Sequence, residues 1–180
     1  SEQTEKVRTK IDNCLDNWAR SEVLQAILSV PHLNWKPVDV LDSFQLDGLK
    51  VWCAIDFAYV GDDGGLRILD WKTGAEHEDE LRLQLACYAL YAGEKWHAPL
   101  ESQHLAGVFL DDGARVSKYV LEPDAMENTK TTIMTSAAQM RLPLVDADKN
   151  EAREEDFPMC ENDRICARCN FREICPYMNG

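Results

Sequence analysis

A chain of 180 residues with 45% hydrophobic composition is long enough for one well-buried core but too short for two full-sized domains. Its formal net charge of −13 argues against a protein that binds nucleic acid non-specifically, because phosphate contacts depend on Lys and Arg. No apolar run approaches the roughly 18 residues that a membrane-spanning helix needs, and residues 1–10 are polar and charged rather than signal-like. We therefore expect a soluble, cytoplasmic protein with no membrane partner.

The first half of the chain predicts one long helix followed by three strands. Apolar residues recur at spacings of three and four across residues 3–29, and Pro31 ends this pattern. The helix should cover a sheet. The segment 61–65, with the sequence GDDGG, is a strong turn signal and predicts a hairpin between the last two strands. The predicted strands are 38–44, 49–60 and 66–71.

The second half predicts a helix on either side of a second hairpin. The first helix covers residues 76–96. Segments 103–110 and 115–121 flank a DDG turn and predict the hairpin. The last helix runs from Pro123 to about Met140. The apolar face of the first of these helices is formed by Leu81, Leu85, Tyr88 and Ala89.

This order of elements predicts an α/β sandwich with a mixed, mostly antiparallel sheet flanked by helices. After Leu144 the composition turns acidic and loses its periodicity, which marks a linker into a tail rich in cysteine. We therefore divide the chain into a core, residues 1–145, and an acidic linker with a cysteine-rich tail, residues 146–180.

Two aspartates and a lysine lie on the first predicted hairpin. If the hairpin is symmetric about Asp63, Asp56 and Asp70 are direct cross-strand neighbours, with Cβ atoms about 4.5–5.5 Å apart. Two carboxylates at this distance repel each other unless a cation lies between them, and Lys72 points to the same face by strand alternation. Such a set suits phosphodiester hydrolysis, in which Mg²⁺ or Mn²⁺ polarises the phosphate and acidifies a bound water.

Charge alone explains Asp56 and Asp70 equally well as strand ends that face solvent. Two observations favour the metal site. Asp56 is embedded in the apolar segment 51–59, where an unpaired charge is costly, and Lys72 adds a third group on the same face. A shift of the register by one residue would turn one carboxylate away.

Three short motifs in a fixed order carry a resemblance to a known family. Ile55-Asp56 is followed by the sequence ILDWKTG over residues 68–74 and by QLACY over residues 84–88. This order resembles the RecB-like branch of the PD-(D/E)xK nuclease superfamily, and the match covers roughly residues 38–96. The D-x-K element alone is common, whereas the ordered set at this spacing is much more specific.

The resemblance implies a restriction-endonuclease-like core with Lys72 as the catalytic lysine. Gln84 and Tyr88 lie one helical turn apart, and in the family they would position the DNA or the lysine. Read without the family, such a pair is more often formed by ordinary helix-face residues. The implied ligands of Mg²⁺ or Mn²⁺ are Asp56, Asp70 and the main-chain carbonyl of Trp71.

The chain differs from the family pattern in one respect. RecB-like nucleases place a histidine ligand in a helix before the first aspartate, whereas here the only preceding histidine, His32, follows Pro31 in a predicted loop. Three explanations remain open. The histidine lies upstream of Ser1, or Glu22 or His32 replaces it, or the site is degenerate.

Seven cysteines form two groups. Those at 14, 53 and 87 lie in apolar or helical segments, where buried free thiols are expected. The other four crowd into the tail, and such a thiolate set binds Zn²⁺ or an iron–sulfur cluster, with spacing alone favouring zinc over either the cluster or four unliganded thiols. The tail cysteines are Cys160, Cys166, Cys169 and Cys175.

The tail spacing also resembles the iron–sulfur nucleases of the family, which include AddB and the CRISPR-associated exonucleases, and this resemblance favours a 4Fe-4S cluster that clasps the two ends of the domain. In those relatives the fourth cysteine lies toward the N-terminus, which nominates Cys14. Cys160 closes a shorter loop, and we prefer it because Cys14 fits the apolar stripe of its helix.

The leading hypothesis is a metal-dependent DNA exonuclease that acts on single strands or DNA ends in recombination, repair or CRISPR adaptation, with a helicase or a CRISPR or recombination protein as partner. One alternative is an inactive nuclease-like module that binds DNA or assembles a helicase–nuclease complex, which the acidic charge and the histidine pattern favour. The other is a zinc-ribbon adaptor.

Overall fold

A computed structural model describes residues 2–157, 160 and 162–175 of the chain. Backbone packing divides the chain into two compact units, Ser1–Met134 and Thr135–Gly180. The sequence placed the boundary at residue 145, where the composition changes. Helix α4, Pro123–Arg141, begins in the first unit and ends in the second.

The first unit begins with two helices where the sequence predicted one over residues 3–29. They are α1, Glu2–Ala19, and α2, Glu22–Ser29. The break lies at Ser21, whose side-chain oxygen accepts a hydrogen bond from the backbone N–H of Leu24 and caps α2.

The expectation that the predicted helix covers a sheet is confirmed for α2, whose Ile27 packs on the sheet, but not for most of α1. Only its C-terminal end reaches the sheet, where the ring of Trp18 packs 4.8 Å from that of Trp71. Among its residues, only Cys14 is buried, and this agrees with its prediction as a buried thiol. The remaining apolar stripe is more than half exposed and consists of Val7, Ile11 and Leu15.

Strands β1, Leu41–Leu46, and β2, Leu49–Ala54, form a hairpin of their own. The turn between them is Asp47-Gly48, and both residues have the positive φ angles, 47° and 82°, that a tight hairpin turn of this kind requires. The predicted strand at 38–44 therefore starts three residues late. Asp39, with a φ of 49°, lies in the left-handed region and is incompatible with an extended strand.

The predicted strand at 49–60 is in fact two strands in two different sheets. The chain leaves the first hairpin after Ala54 and enters a second sheet at β3, Phe57–Val60. The bend contains Asp56, whose carboxylate accepts a hydrogen bond from the backbone N–H of Trp71 at 2.8 Å. A side chain thus takes the place of a backbone ladder partner at this position, which the apolar composition of the segment did not reveal.

The second sheet has four strands in the order β3-β4-β5-β6, with β4 at Leu66–Lys72, β5 at Gln103–Phe109 and β6 at Arg115–Tyr119. The β4–β5 pair is parallel and the other two pairs are antiparallel, which confirms the predicted mixed, mostly antiparallel sheet. In the β3–β4 hairpin, Phe57 pairs with Leu69 and Val60 pairs with Leu66. The predicted register, symmetric about Asp63, is therefore correct.

Helix α3, Glu78–Trp96, packs on one face of the four-stranded sheet and against the β1–β2 hairpin. Its buried face includes the four residues that the periodicity predicted. Helix α4 contributes Met126 to the same core. On the opposite face of the sheet, Ile27 of α2 packs in a second, smaller core with Leu69 and Val108. The sheet thus lies between helices, as an α/β sandwich requires.

The second unit contains more regular structure than the predicted linker. Strands β7, Leu144–Asp146, and β8, Glu151–Ala152, form a short hairpin, and α5, Asp163–Cys166, precedes the last cysteines. Among the described residues, none of the helices is long and apolar enough to cross a membrane.

Gly107 of β5 allows α3 to lie close to the sheet. A Cβ atom at this position would stand 2.5 Å from Cδ2 of Leu81, inside any real contact distance. We expect Gly107→Ala to lower the free energy of unfolding by about 1–3 kcal/mol, because the helix must shift. Gly93→Ala in α3, where the nearest atom is 3.9 Å away, should instead raise it by up to about 1 kcal/mol. Urea unfolding of both variants measures the difference, and equal effects would contradict this account of the packing.

Candidate metal and catalytic centre

The centre is built around the buried carboxylate of Asp70. This side chain lies on strand β4, on the face that meets α3, and only 1% of it is exposed. Lys72 is two residues further along the same strand and therefore points to the same face. Its Nζ lies 2.6 Å from Oδ2 of Asp70, which supplies the counter-charge that a buried carboxylate needs.

Two side chains of α3 complete a closed ring with this ion pair. Lys72 Nζ donates a hydrogen bond to Oε1 of Gln84 at 2.7 Å, and Gln84 Nε2 donates to the hydroxyl of Tyr88 at 2.7 Å. The Tyr88 hydroxyl then donates to Oδ1 of Asp70 at 3.4 Å. Burial raises the pKa of Tyr88, so its hydroxyl keeps the proton that it donates. The ring fixes both the amide orientation of Gln84 and the position of the lysine.

Asp56 lies beside this ring at the open end of the β3–β4 hairpin. Its Oδ2 accepts from the backbone N–H of Trp71, while burial and, to a smaller extent, the charge of Asp70 raise its pKa. The carbonyl of Lys72 faces β5, where it accepts from the N–H of Leu110 at 2.8 Å. Because neighbouring carbonyls of a strand point to opposite sides, the Trp71 carbonyl points toward the side of Asp56.

These donors fit a hard divalent cation. Two carboxylates and one ammonium leave a net charge of −1, and the Oδ2 atom of Asp70, although paired with the lysine, has no well-directed hydrogen bond. Mg²⁺ is commonly held by one or two carboxylates, with waters and substrate phosphate oxygens completing its shell. Asp56 and Asp70, with the Trp71 carbonyl, are the groups that would hold such a cation here.

Neither proposed substitute for the histidine joins the two aspartates. Glu22 lines a cavity with Arg67 and Leu69, which are on the sheet face opposite to Asp70. The ring of His32 packs 4.6 Å from that of Trp35. Within residues 2–157, 160 and 162–175, no three His, Cys, Asp or Glu side chains are grouped closely enough to hold a metal.

The loop between Lys72 and α3 carries contacts that the motifs did not predict. Glu76 accepts hydrogen bonds from the side chains of Arg115, Ser117 and Tyr119 on β6. The Tyr119 hydroxyl is the main reason why the pKa of Glu76 is lowered. These contacts tie the loop to β6. The acidic residue after the TG pair was the available signal, but only the fold brings β6 to it.

Next to Lys72, the same loop and the first turns of α3 enclose a cavity of about 180 Å³. The motif comparison did not point to it, because most of its lining residues lie outside the motifs. These lining residues include Ala75, His77, Glu80, Leu81 and Phe109.

The cysteines fall into the two expected groups, with one correction. Cys53 and Cys87 are half-buried rather than buried, and burial raises the pKa of Cys53 to about 11 and also raises that of Cys87, as for unreactive thiols. In the tail, Cys166 Sγ donates to the carbonyl oxygen of Cys160 at 3.5 Å.

Other contacts also involve the tail thiols. The N–H of Phe171 donates to Cys169 Sγ at 3.4 Å. Burial, followed by the neighbouring Cys160, raises the pKa of Cys166. Residues 158–159, 161 and 176–180 of this segment lie outside the described part of the chain. The metal ligand set of the tail, and the choice between Cys14 and Cys160, stay predictions.

A mixed sheet that holds two carboxylates and a lysine at one end, facing a glutamine and a tyrosine of a helix, is the arrangement expected of a metal-dependent nuclease. The chain belongs to the PD-(D/E)XK nuclease superfamily, whose family model matches residues 4–176. The fold is accordingly the restriction-endonuclease-like α/β type. Nucleases of this superfamily generally use divalent metals such as Mg²⁺.

Comparison with solved structures gives a weaker similarity. The crystal structure of SSO0001 shares 18% sequence identity at a TM-score of 0.41, and the alignment covers 86% of this chain and 66% of that chain. No curated protein matches the chain.

The raised pKa of Asp56 indicates that the ionised carboxylate destabilises the folded state. We expect Asp56→Asn to raise the free energy of unfolding in the presence of a chelator, because the amide can still accept from Trp71 without carrying the charge. The folded state favours the protonated acid, so the stability that Asp56 contributes at low pH is lost as the pH rises through its folded-state pKa. The gain of the variant over the wild type should therefore grow above pH 3.8 and then level off. Thermal melting across this pH range measures it, and a variant less stable than the wild type at neutral pH would contradict it.

Proposed function

We propose that the chain is a divalent-metal-dependent DNA exonuclease that acts on single strands or DNA ends. The observation that carries this proposal is the closed ring of Asp70, Lys72, Gln84 and Tyr88 beside Asp56. Asp70 from the same strand and two side chains of a helix, Gln84 and Tyr88, hold the lysine in a fixed position, and Asp56 lies beside them. Proteins maintain such buried polar networks at a high desolvation penalty, which is typical of functional sites.

The ring gives each side chain a defined part in phosphodiester hydrolysis. When bound by Asp56 and Asp70, Mg²⁺ or Mn²⁺ would neutralise phosphate charge and acidify a water. The ammonium of Lys72 has three N–H groups, of which Asp70 and Gln84 engage two. The third is free to donate to a water or a phosphate oxygen, and the lysine side chain is 31% exposed, so a substrate can reach it.

Gln84 and Tyr88 are positioning residues in this proposal. The Tyr88 hydroxyl accepts a hydrogen bond from Nε2 of Gln84. This contact keeps Oε1 of Gln84 directed at Lys72. Without this restraint, the lysine would gain rotamer freedom and its ammonium would be less well aligned with the scissile phosphate.

The finer assignment rests on the motif order and on charge. The order D, DxKTG and QxxxY supports the RecB-like branch, and the tail spacing supports its iron–sulfur members. We therefore propose recombination, repair or CRISPR adaptation as the pathway, with a helicase or a CRISPR or recombination protein as partner. The net charge of −13 does not favour non-specific binding along DNA, so in this proposal a partner delivers the enzyme to DNA ends.

A second candidate is a non-catalytic nuclease-like module that binds DNA or assembles a larger complex. Its supporting observation is that, in the part of the chain that the structure describes, no third acidic or histidine side chain joins Asp56 and Asp70. This candidate predicts that the purified protein binds DNA ends without degrading them.

For the tail, we propose a 4Fe-4S cluster bound by Cys166, Cys169, Cys175 and Cys160, with Cys14 as the alternative to Cys160 and Zn²⁺ as the alternative metal. The support for this proposal is the spacing of the four cysteines in the sequence. Among the described residues their thiols are not grouped as a metal site, so binding of the metal would have to draw them together. Thiolates so concentrated are ligands of soft or borderline metals.

The nuclease proposal predicts Mn²⁺-dependent degradation of end-labelled single-stranded DNA. Asp70→Ala and Lys72→Ala should each lower the rate at least about 100-fold, because each removes a group that acts on the reacting phosphate. Lys130→Ala, which removes a half-exposed lysine of α4 that pairs with Glu127, is the matched control and should leave the rate unchanged. Thermal melting checks that each variant is folded. Activity that survives both substitutions would refute the proposal.

The cluster proposal predicts a brown protein with iron and acid-labile sulfide after anaerobic purification. Cys160→Ser should lower the iron content if Cys160 is the fourth ligand, whereas Cys14→Ser should do so if the family pattern holds. A colourless protein that contains stoichiometric zinc would contradict the iron–sulfur cluster and support a zinc site in its place.

A further inference from the structure

The cavity beside Lys72 has not been given a role by the nuclease proposal. It has a volume of about 180 Å³ and lies between the loop after β4 and the first turns of α3. Leu81 and Phe109, both buried, form its apolar part. Lys72 and Gln84 contribute to its wall and also belong to the ring around Asp70, so the cavity adjoins the place where the scissile phosphate would sit.

The size of the cavity fits one planar ring system. An apolar cavity of about 150 Å³ in another protein is large enough to bind benzene. A cavity of about 180 Å³ therefore has room for a single heterocyclic base, and because Ala75, His77 and Glu80 are exposed, the sugar and phosphate could lie outside it. Phe109 adds an aromatic side chain to the lining, with the Arg115 guanidinium 4.6 Å from its ring centroid, and nucleobases commonly pack on aromatic side chains.

The charges around the cavity disfavour a phosphate group as its occupant. Among its lining residues the lysine, Lys72, is already engaged by Asp70 and Gln84. Arg115, whose guanidinium lies over the Phe109 ring, is likewise paired with Glu76 and Asp112. Glu80 lines the cavity, and Glu78 and Asp79 add further negative charge to the same helical turn. A neutral heterocycle avoids this repulsion, whereas a phosphate does not.

The polar lining groups match the edge of a base. The carboxylate of Glu80 is an acceptor without a proton to donate, and a carboxylate typically accepts from the exocyclic amino group of a base. Thymine carries no such amino group. His77 and Gln84 add side-chain groups that can bond to the remaining ring edge.

We propose that this cavity binds one nucleobase of the strand that the centre cuts, next to the scissile phosphate, and that Glu80 selects bases with an exocyclic amino group over thymine. This inference rests on the proposed nuclease function and names the element of the substrate that the centre recognises besides phosphate.

The test combines a cavity-filling variant with abasic substrates. Ala75→Leu should occupy the cavity, and a set of single-stranded oligonucleotides should carry one abasic residue at each successive position around the cut. In the wild type, one abasic position should lower kcat/KM about tenfold or more, since a stacked base contributes on the order of 1–3 kcal/mol. Ala75→Leu should lower kcat/KM on the intact oligonucleotide by a similar factor, yet cause no further loss on the oligonucleotide that is abasic at that position.

Base selection is tested with Glu80→Gln, which should reduce the preference for cytosine over thymine at the same position. Asp79→Asn is the matched control, because Asp79 lies in the same helical turn but outside the cavity lining, and it should leave that preference unchanged. If Ala75→Leu fails to fold in a melting experiment, the comparison of these two variants decides alone.

Three outcomes would overturn the proposal. Ala75→Leu could act equally on every substrate, no abasic position could affect the wild type, or Glu80→Gln could shift base preference no more than Asp79→Asn. If the wild type degrades no DNA at all, the nuclease function fails separately. Fluorescence anisotropy with the same oligonucleotides then tests the cavity, and affinity that is independent of every base would refute it.

Discussion

The buried carboxylate of Asp70 is the constraint on which the rest of the centre depends. A carboxylate that is 1% exposed needs an opposite charge and hydrogen-bond donors within reach, and removal of either partner would leave an uncompensated charge in the core. Lys72 supplies the charge from the same strand, and Tyr88 supplies a hydrogen bond from α3. Because Tyr88 must reach Asp70, α3 has to lie close to the sheet, and Gly107, directly across from Asp70 on β5, provides the space.

The same constraint explains why α3 carries both packing and polar residues on neighbouring positions. Leu81 and Leu85 are buried against the sheet, while Gln84 and Tyr88 connect to the ion pair. Apolar contacts thus fix the helix on the sheet. Its hydrogen bonds from Gln84 to Lys72 and from Tyr88 to Asp70 then fix the position of the lysine. The packing of the core and the geometry of the site both depend on the position of α3 on the sheet, so a change in either should disturb the other.

Much of this could be predicted from the sequence because its signals are local or symmetric. The GDDGG turn sets the hairpin register, and the spacing of Leu81 and Leu85 sets the face of α3. The interruptions of the predicted first helix and of the predicted strand at 49–60 were harder to predict. Asp56 bends the chain through a side-chain bond to Trp71, and Ser21 divides the first helix by a cap that a purely apolar pattern does not show. The cavity beside Lys72 could not be predicted, because Phe109 is far from Lys72 in the sequence and only the pairing of β5 with β4 brings the two together.

Superfamily membership and the ring geometry support the proposal that Asp56 and Asp70 hold a divalent cation. Isothermal titration of Mn²⁺ into the purified protein tests this most directly. The account predicts one saturable site in the wild type that Asp56→Asn and Asp70→Asn each abolish, while Asp62→Asn in the exposed turn of the same hairpin leaves it intact. No saturable Mn²⁺ binding by the wild type, or binding that Asp70→Asn leaves unchanged, would contradict it.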